Sequence, residues 1–305
     1  MSSIGRSVRL FLVDGNPSGI ITAEVVNWTG HALVAPRSKL SDILTRSETQ
    51  KTGVYFLFGE LAELGGRRPV YIGESDNVGR RISQHVRSDE KDFEKFCLIT
   101  SKDLNLTKAH ARYLENRFSI IAKESDRADV LNSIEPALGI LPESDIADME
   151  YFIEQVRIIL PVLGYDVLKD KFVRPIHLGK ETVRETESEI TLVPLKLRSS
   201  RKGLIADAVE REGEILVLKD SLADRYPDYA MNQYQPLRER LEREGTLVPE
   251  ENGQFLRFTK DTLFSSPSAA AAVIYGRNAN GRTSWVLANM NKTLKAYQDE
   301  LQAAQ

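Results

Sequence analysis

The stretch from Gly53 to Val86 constrains the fold more than any other part of the chain. It contains two short apolar, β-favouring runs, Val54–Phe58 and Val70–Ile72, separated by a polar connection rich in Gly, Arg and Pro. Two such runs around a polar loop predict a β-hairpin. From Val78 onward, apolar residues recur every four positions, which predicts a helix directly after the hairpin.

This hairpin and helix are expected to bring four polar side chains together. Tyr55 and Tyr71 lie on the two strands, and Arg81 and His85 lie on the helix. Residues four apart are neighbours on a helix surface, so Arg81 and His85 share one face. We do not expect any of the four to be a core residue.

The residue types and their order resemble the GIY-YIG nuclease superfamily. Its members include homing endonucleases, some restriction enzymes and the amino-terminal half of a nucleotide-excision repair endonuclease. The first motif stands here as Gly53-Val54-Tyr55, with valine in place of isoleucine, and the second stands unchanged as Tyr71-Ile72-Gly73. Six positions in the right order are a specific signal, whereas one such triplet alone is not. The other family positions are matched, in chain order, by Arg81, His85, Glu115 and Asn132.

The resemblance spans about residues 50–165 and implies both a fold and an activity. The implied fold is α+β, with a small, mostly antiparallel three-stranded sheet flanked by helices. The implied activity is a metal-dependent DNA endonuclease that hydrolyses phosphodiester bonds, in DNA repair or in restriction of foreign DNA. Mg²⁺ (or Mn²⁺) would be the cofactor, because a hard cation needs few protein carboxylates, and Glu115 would be its ligand.

The resemblance also implies a role for each remaining site residue. Tyr55 would be the general base and Tyr71 would hold phosphate or water. His85 is an alternative base, because the pKa range of imidazole suits neutral pH. Arg81 can meet a phosphate with a bidentate fork that lysine lacks. Asn132 taken alone would be a turn former, and only the family pattern makes it a site residue.

The length of 305 residues predicts about two domains. The last of them carries the pattern FSSPSAAA, then GRNANG, then Trp285. This pattern is similar to a domain of unknown function that often follows nuclease or restriction–modification modules. We expect an α/β appendage at 1–49 that can extend the core sheet, a nuclease domain at 50–173, a polar linker at 174–190 and a separate α+β domain at 191–305.

Charge and composition limit the location and the partners. The formal net charge of −3 does not indicate a nucleic-acid-binding protein. Residues 67–91, however, carry six cations against four carboxylates. No apolar run approaches the ~20 residues that span a membrane, and the first residues lack a signal-peptide core. The single cysteine, Cys97, lies in an apolar run and is expected to be a buried thiol. We therefore expect a cytoplasmic protein that binds no membrane, and the nuclease resemblance implies duplex DNA as its partner.

Other interpretations of the same sequence remain open. A catalytically weak nucleic-acid-binding or targeting module on the same fold is the main alternative, followed by a structural or interaction protein. RNA is not excluded as a substrate. One active site per chain would need a homodimer, a partner protein or two visits to cut both strands. Trp28 is expected in the core rather than against a base, and His110 is expected at the surface without a partner.

Overall fold

The computed structural model describes residues 5–61, 65–132, 141–172, 192–199, 203–226, 232–250 and 253–303. The chain divides into two compact units, one formed by Ile4–Leu61 with Arg67–Lys171 and the other mainly by Phe172–Gln305. Both units combine helices and sheets, so the α+β class is confirmed. The predicted linker at 174–190 lies outside the described residues. Within the described ranges, no helix has the length and apolarity needed to cross a membrane.

The first unit is a single mixed sheet with helices on both faces. Its strands pair in the spatial order 1-2-3-6-4-5-7, antiparallel throughout except for the last pair. The strands are β1 (Val8–Leu12), β2 (Ile21–Val25), β3 (Gly30–Pro36), β4 (Gly53–Phe58), β5 (Arg68–Ser75), β6 (Lys95–Ser101) and β7 (Ala128–Val130). The helices are α1 (Leu40–Ile43), α2 (Val78–Ser88), α3 (Lys108–Ser125) and α4 (Glu143–Val162).

This sheet is larger than the three strands that the sequence predicted. Strands β4, β5 and β6 form an antiparallel centre, and the predicted hairpin is the pair β4–β5. Strand β3 then pairs with β6 along its whole length, from Gly30↔Ser101 to Pro36↔Lys95. The amino-terminal strands thus extend the central sheet, as expected. Pairing between strands this far apart in sequence leaves no local periodicity from which the full strand number follows.

Strand β4 lies at the centre of the sheet and is buried on both faces. Side chains alternate between the faces of a strand. Val54, Phe56 and Phe58 therefore pack with residues of α3 and α4. Tyr55 and Leu57 pack on the opposite face with Val78 and Ile82 of α2 and with Ile43 of α1. This alternation places the Tyr55 ring beneath α2.

Local capping signals fix where the two main helices begin. Asn77 caps α2, accepting a hydrogen bond from the Arg80 backbone N–H at 2.8 Å. Thr107 caps α3 as predicted, in a reciprocal capping box with His110. The expectation that His110 has no partner is wrong, because its Nε2 also lies 3.1 Å from Asp145 of α4. The packing of α3 against α4 creates that contact, which helical periodicity does not reveal.

The second unit contains two smaller sheets and a helix rich in alanine. Ser266 caps that helix, Pro267 begins it and Gly276 ends it with a positive φ of 67°, as the sequence predicted. The strands are β8 (Val193–Ser199), β9 (Leu204–Arg211), β10 (Glu214–Val217), β11 (Leu222–Asp224), β12 (Leu247–Pro249), β13 (Phe255–Phe258), β14 (Thr262–Phe264) and β15 (Val286–Leu287). The helices are α5 (Gln235–Arg243), α6 (Pro267–Tyr275), α7 (Gly281–Ser284) and α8 (Leu294–Ala303).

The two sheets of the second unit enclose a largely apolar interior. One has the order β14-β10-β9-β8-β15 and the other the order β11-β13-β12. Ala269–Ala272 of α6 are fully buried, so the helix approaches its neighbours closely. The Arg238 side chain of α5 is also buried. Its guanidinium donates to the Val273 carbonyl at 3.0 Å, to the Asp224 carbonyl and to the Glu242 carboxylate at 3.0 Å.

Candidate active site

Tyr55 is the centre of a hydrogen-bonded cluster beneath α2. Its hydroxyl lies 2.9 Å from Nε2 of His85. Arg81 Nε donates to the same oxygen over 3.4 Å. Tyr55 and His85 are only 1% and 4% exposed, respectively, so the expectation that neither is a core residue is wrong. A central strand and the buried side of an amphipathic helix enclose them together.

Gly73 makes the position of the Tyr55 ring possible. The two residues are directly opposite each other in the β4–β5 pair. A Cβ atom on Gly73 would lie 2.3 Å from the Tyr55 hydroxyl oxygen and 2.4 Å from its Cζ atom. Such distances are far below van der Waals contact. The glycine of the second motif is thus required because the tyrosine of the first motif occupies its side-chain space.

Tyr71 and Lys91 complete one side of the cluster. The ring centroid of Tyr71 lies 6.2 Å from that of Tyr55 and 5.8 Å from that of His85. Lys91 places its Nζ atom 3.9 Å from the centre of the Tyr71 ring. An ammonium group over an aromatic face is held by the ring quadrupole. Sequence reasoning missed Lys91, which lies in a short loop of alternating charges.

Burial controls the ionisation of the Tyr55–His85 pair. Desolvation raises the pKa of Tyr55 above its usual value, so the phenol keeps its proton at neutral pH. Desolvation, followed by the positive charges of Arg81 and Lys91, lowers the pKa of His85 to about 4. A neutral His85 can accept a hydrogen bond from the Tyr55 hydroxyl at Nε2 while Arg81 donates to the same phenol oxygen. In that arrangement the imidazole proton lies on Nδ1.

Glu115 on α3 is held close to the second motif. Its half-buried carboxylate lies near the backbone of Glu74, the residue that follows Gly73, and this backbone favours the ionised form of Glu115. Burial first, and then the negative charge of Glu74, raise the pKa of Glu115 to about 7. Burial raises the pKa of Tyr71 and of Tyr55, and the charge of Glu115 adds to the rise in both. The carboxylate therefore belongs to the same electrostatic cluster as the two tyrosines.

Glu74 is a second carboxylate that sequence reasoning did not single out. It follows Gly73 on β5, so strand alternation turns it toward the face that α3 covers. Lys108 Nζ lies 2.7 Å from its Oε2 atom, and Arg112 Nε lies 3.8 Å from Oε1. Lys108, Arg112 and Glu115 recur at helical spacing along α3. Two acidic and two basic groups thus lie together where α3 covers the second motif.

Asn132 is brought to the same strand through the backbone of Ile72. Its side-chain oxygen accepts from the Ile72 N–H at 3.0 Å, and its amide donates to the Ile72 carbonyl at 2.8 Å. The amide thereby continues the pairing of β5 just beyond β7. In the structure, Asn132 holds the strand segment that lies between Tyr71 and Gly73.

Two residues predicted to be structural are buried. Trp28 is 6% exposed and its ring centroid lies 4.8 Å from that of Phe152, which agrees with the core prediction. Cys97 is fully buried in β6, which confirms the expectation of a structural thiol. Burial raises its pKa, so the thiolate that reacts as a nucleophile is disfavoured.

Comparison with known proteins bears on the second unit. Residues 196–298 match the family model described as "Domain of unknown function (DUF4357)". The match agrees with the predicted resemblance of that region, and the description assigns no activity. No curated protein and no solved structure matches the chain. The nuclease resemblance of the first unit therefore rests on its own residues and their geometry.

Proposed function

We propose that the first unit is a Mg²⁺-dependent endonuclease that hydrolyses phosphodiester bonds of duplex DNA. The observation that supports this most directly is the Tyr55 hydroxyl held between His85 and Arg81, with the Glu115 carboxylate beside the same cluster. Strongly shifted pKa values of neighbouring groups are typical of catalytic sites. The motif resemblance adds the reaction class.

The acidic groups fit a hard divalent cation. Glu115 and Glu74 are two neighbouring carboxylates whose repulsion contributes to the raised pKa of Glu115. Among the described residues, no group of three or more His, Cys, Asp or Glu side chains is arranged to hold a metal. Mg²⁺ suits such a site, because it keeps several waters and needs only one or two carboxylates beside substrate phosphates. Mg²⁺ (or Mn²⁺), held by Glu115, would stabilise negative charge on the phosphate and the leaving oxygen.

Tyr55 and His85 can share the work of a general base. The attacking water would give a proton to the Tyr55 oxygen while Tyr55 passes its own proton to Nε2 of His85. The water oxygen then bonds to phosphorus, the bond to the 3′ oxygen breaks, and that oxygen takes a proton from solvent. Neither residue acts alone in this relay, which joins the two bases that the sequence left as alternatives.

Cations beside the relay would stabilise the substrate and tune the base. Arg81 and Lys91 both lower the pKa of His85 in the free protein. A bound phosphate would offset their charge, so the pKa of His85 would rise toward the range of an effective base. Arg81 would meet the phosphate oxygens as a planar fork. Tyr71 would hold a phosphate oxygen or water beside it.

The burial of Tyr55 supports a second candidate function. A hydroxyl in a residue that is 1% exposed has little access to water or substrate. A histidine with a pKa of about 4 is also a weak base. Both features suit a catalytically weak nucleic-acid-binding or targeting module. Such a module would bind nucleic acid through the same residues but would not hydrolyse it.

The proposal also bears on the oligomeric state, the location and the biological role of the protein. One active site in each chain would require a homodimer, a partner protein or successive visits to cut both strands. The single buried thiol suits the reducing cytoplasm. Repair and restriction of foreign DNA are the roles that the resemblance suggests.

The proposed function is tested with supercoiled plasmid and Mg²⁺ at low salt. Wild-type protein should convert the plasmid to nicked or linear form, and Glu115→Ala protein should not. Tyr55→Phe should lose nicking as well, and if it retains Mg²⁺-dependent nicking the relay is wrong. If the wild type binds duplex DNA but never cuts it with Mg²⁺ or Mn²⁺, the second candidate replaces the first.

A further inference from the structure

We propose that a groove along the outer side of α2 binds the sugar–phosphate backbone of duplex DNA next to the cluster. The groove lies between α2 and the short 3-10 helix Ser47–Gln50. Its lining is mostly polar and carries no carboxylate, whereas the region beside α3 holds Glu74 and Glu115. The lining residues used below are Gln50, Asn77, Arg80, Gln84 and Arg87.

The groove carries positive charge that has no neutralising partner within the described part of the chain. Arg80 and Arg87 are exposed, and no described carboxylate lies within ion-pairing distance of either. Three acids near the groove are held by other cations, among them Asp76, which lies 3.6 Å from Lys108. Glu48 contacts Arg46 at 2.6 Å, and Asp89 contacts Arg37 at 2.7 Å. An anion is therefore the ligand that this groove would attract.

The spacing of the two arginines fits a repeating anion. They are seven residues apart on one helix, which separates them by about 10 Å along its axis. That distance corresponds to about three base-pair steps of 3.4 Å along a DNA duplex. Two guanidinium groups at this distance can contact two phosphates of one duplex, whereas a small anion would reach only one of them.

Gln84 joins the groove to the cluster around Tyr55. It lies between Arg80 and Arg87 on α2, and its Oε1 atom accepts a hydrogen bond from Arg81 at 3.1 Å. Arg81 in turn donates to Tyr55. A strand seated in the groove would thus continue directly to the side chain that contacts the reacting phosphate.

The groove wall is built into the fold. A Cβ atom on Gly79 would lie 2.8 Å from Cβ of Thr49, so the glycine permits the close approach of α2 to the 3-10 helix. Across the groove, the Asn77 amide donates to Gln50 at 2.9 Å while its oxygen caps α2. These contacts fix the surface before any ligand arrives, which lowers the entropy cost of binding.

This inference rests on the proposed function for its substrate, but it can be tested without catalysis. The test variant is Arg80→Gln/Arg87→Gln. The matched control is Arg9→Gln/Lys123→Gln, which removes two exposed cations of the same unit outside the groove. Binding of a short labelled duplex would be measured in EDTA over a range of salt concentrations, and nicking would be measured separately at saturating protein.

The groove variant should bind about 10- to 100-fold more weakly than wild type, since it loses two charge-assisted contacts. The slope of log affinity against log salt should fall by about 2 in magnitude, because each phosphate contact contributes about 0.9. The control should change neither quantity.

Equal affinity and slope in wild type and groove variant would overturn the inference, as would an equal loss in the control. A wild type that binds no duplex would overturn it too. The two proposals fail separately. Binding that depends on Arg80 and Arg87 without any cutting would support the groove and reject the endonuclease. Cutting with binding that ignores both arginines would do the reverse.

Discussion

Both units of this protein bury polar side chains, but they do so in different ways. In the second unit, buried Arg238 directs its guanidinium to two backbone carbonyls and the Glu242 carboxylate. In the first unit, Tyr55, His85 and Glu115 are held where burial opposes their charged forms. A buried group with complete partners stabilises a fold. Shifted pKa values in neighbouring groups are typical of catalytic sites, which agrees with the proposed function of the first unit.

The largest expected effect tests the structural side of this comparison. Arg238→Met removes the donor from two carbonyls and a carboxylate, which leaves buried acceptors without a partner. We expect the free energy of unfolding to fall by about 3–5 kcal/mol, measured by urea denaturation. Arg243→Met on the exposed side of the same helix is the control and should change stability little. Equal losses in both variants would contradict a special role for the buried guanidinium.

Arg81→Lys tests the catalytic side. Lysine keeps the positive charge but lacks the planar fork, so it cannot contact Tyr55 and a phosphate in the same geometry. We expect the single-turnover nicking rate to fall by about 10²–10³-fold with little change in unfolding midpoint. Arg9→Lys on exposed β1 serves as the control. A rate within a few-fold of wild type would show that charge alone suffices at position 81.

Gly73→Ala tests whether the two motifs must fit each other. The new methyl group would lie 2.3 Å from the Tyr55 hydroxyl oxygen, so the ring or strand β5 must shift. We expect a loss of about 1–3 kcal/mol in stability together with reduced nicking. Gly5→Ala is the matched control, because a Cβ atom there meets nothing within 4 Å. Tolerance of alanine at both positions would mean that the Tyr55 pocket adjusts freely.

The smallest expected effect concerns the pH dependence of nicking. The pKa of Glu115 is about 7, whereas that of His85 is about 4, so the acidic limb of kcat/KM should follow Glu115. Activity should rise as pH increases through about 7, because only the ionised carboxylate can hold a cation. Glu74→Gln removes a neighbouring negative charge and should move this limb to lower pH. Asp76→Asn changes an exposed neighbouring carboxylate and should leave the acidic limb nearly in place. If the acidic limb moves in neither variant, the charge of Glu74 does not set its position.

Much of the local structure was predictable because its signals are local. The two hairpin strands, the caps at Thr107 and Ser266 and the stop at Gly276 all depend on a few adjacent residues. The proximity of two tyrosines, an arginine and a histidine was also predictable, since the motif spacing sets which strand or helix each one occupies. Tyr55 and His85 indeed come within 2.9 Å of each other.

The remaining features depend on contacts between distant parts of the chain. The β3–β6 pairing, the burial of Tyr55 and the His110–Asp145 contact arise only when whole elements pack. Lys91 reaches Tyr71 from a loop whose composition indicates only solvent exposure. The side-chain pairing of Asn132 with a strand backbone likewise leaves no pattern in sequence. Local charge, motif spacing and secondary-structure propensity do not reveal contacts between residues that are far apart in sequence.

The central claim is that Glu115 is a carboxylate held for metal binding, and Glu115→Gln tests it most directly. The claim predicts that this substitution lowers activity but raises stability. The folded-state pKa of Glu115 is about 7, above its usual value of 4.5, so this group costs no stability below about pH 4.5, an increasing amount as pH rises from 4.5 to 7, and its full amount above pH 7.

In the plasmid assay with Mg²⁺, Glu115→Gln should abolish nicking. In metal-free buffer at pH 8, the same substitution should raise the free energy of unfolding. The gain should be on the order of 1 kcal/mol after allowance for solvent screening of this half-buried group. At pH 4 the gain should vanish. Retained nicking, or a variant less stable than wild type at pH 8, would contradict the account of Glu115 as a carboxylate held for metal binding.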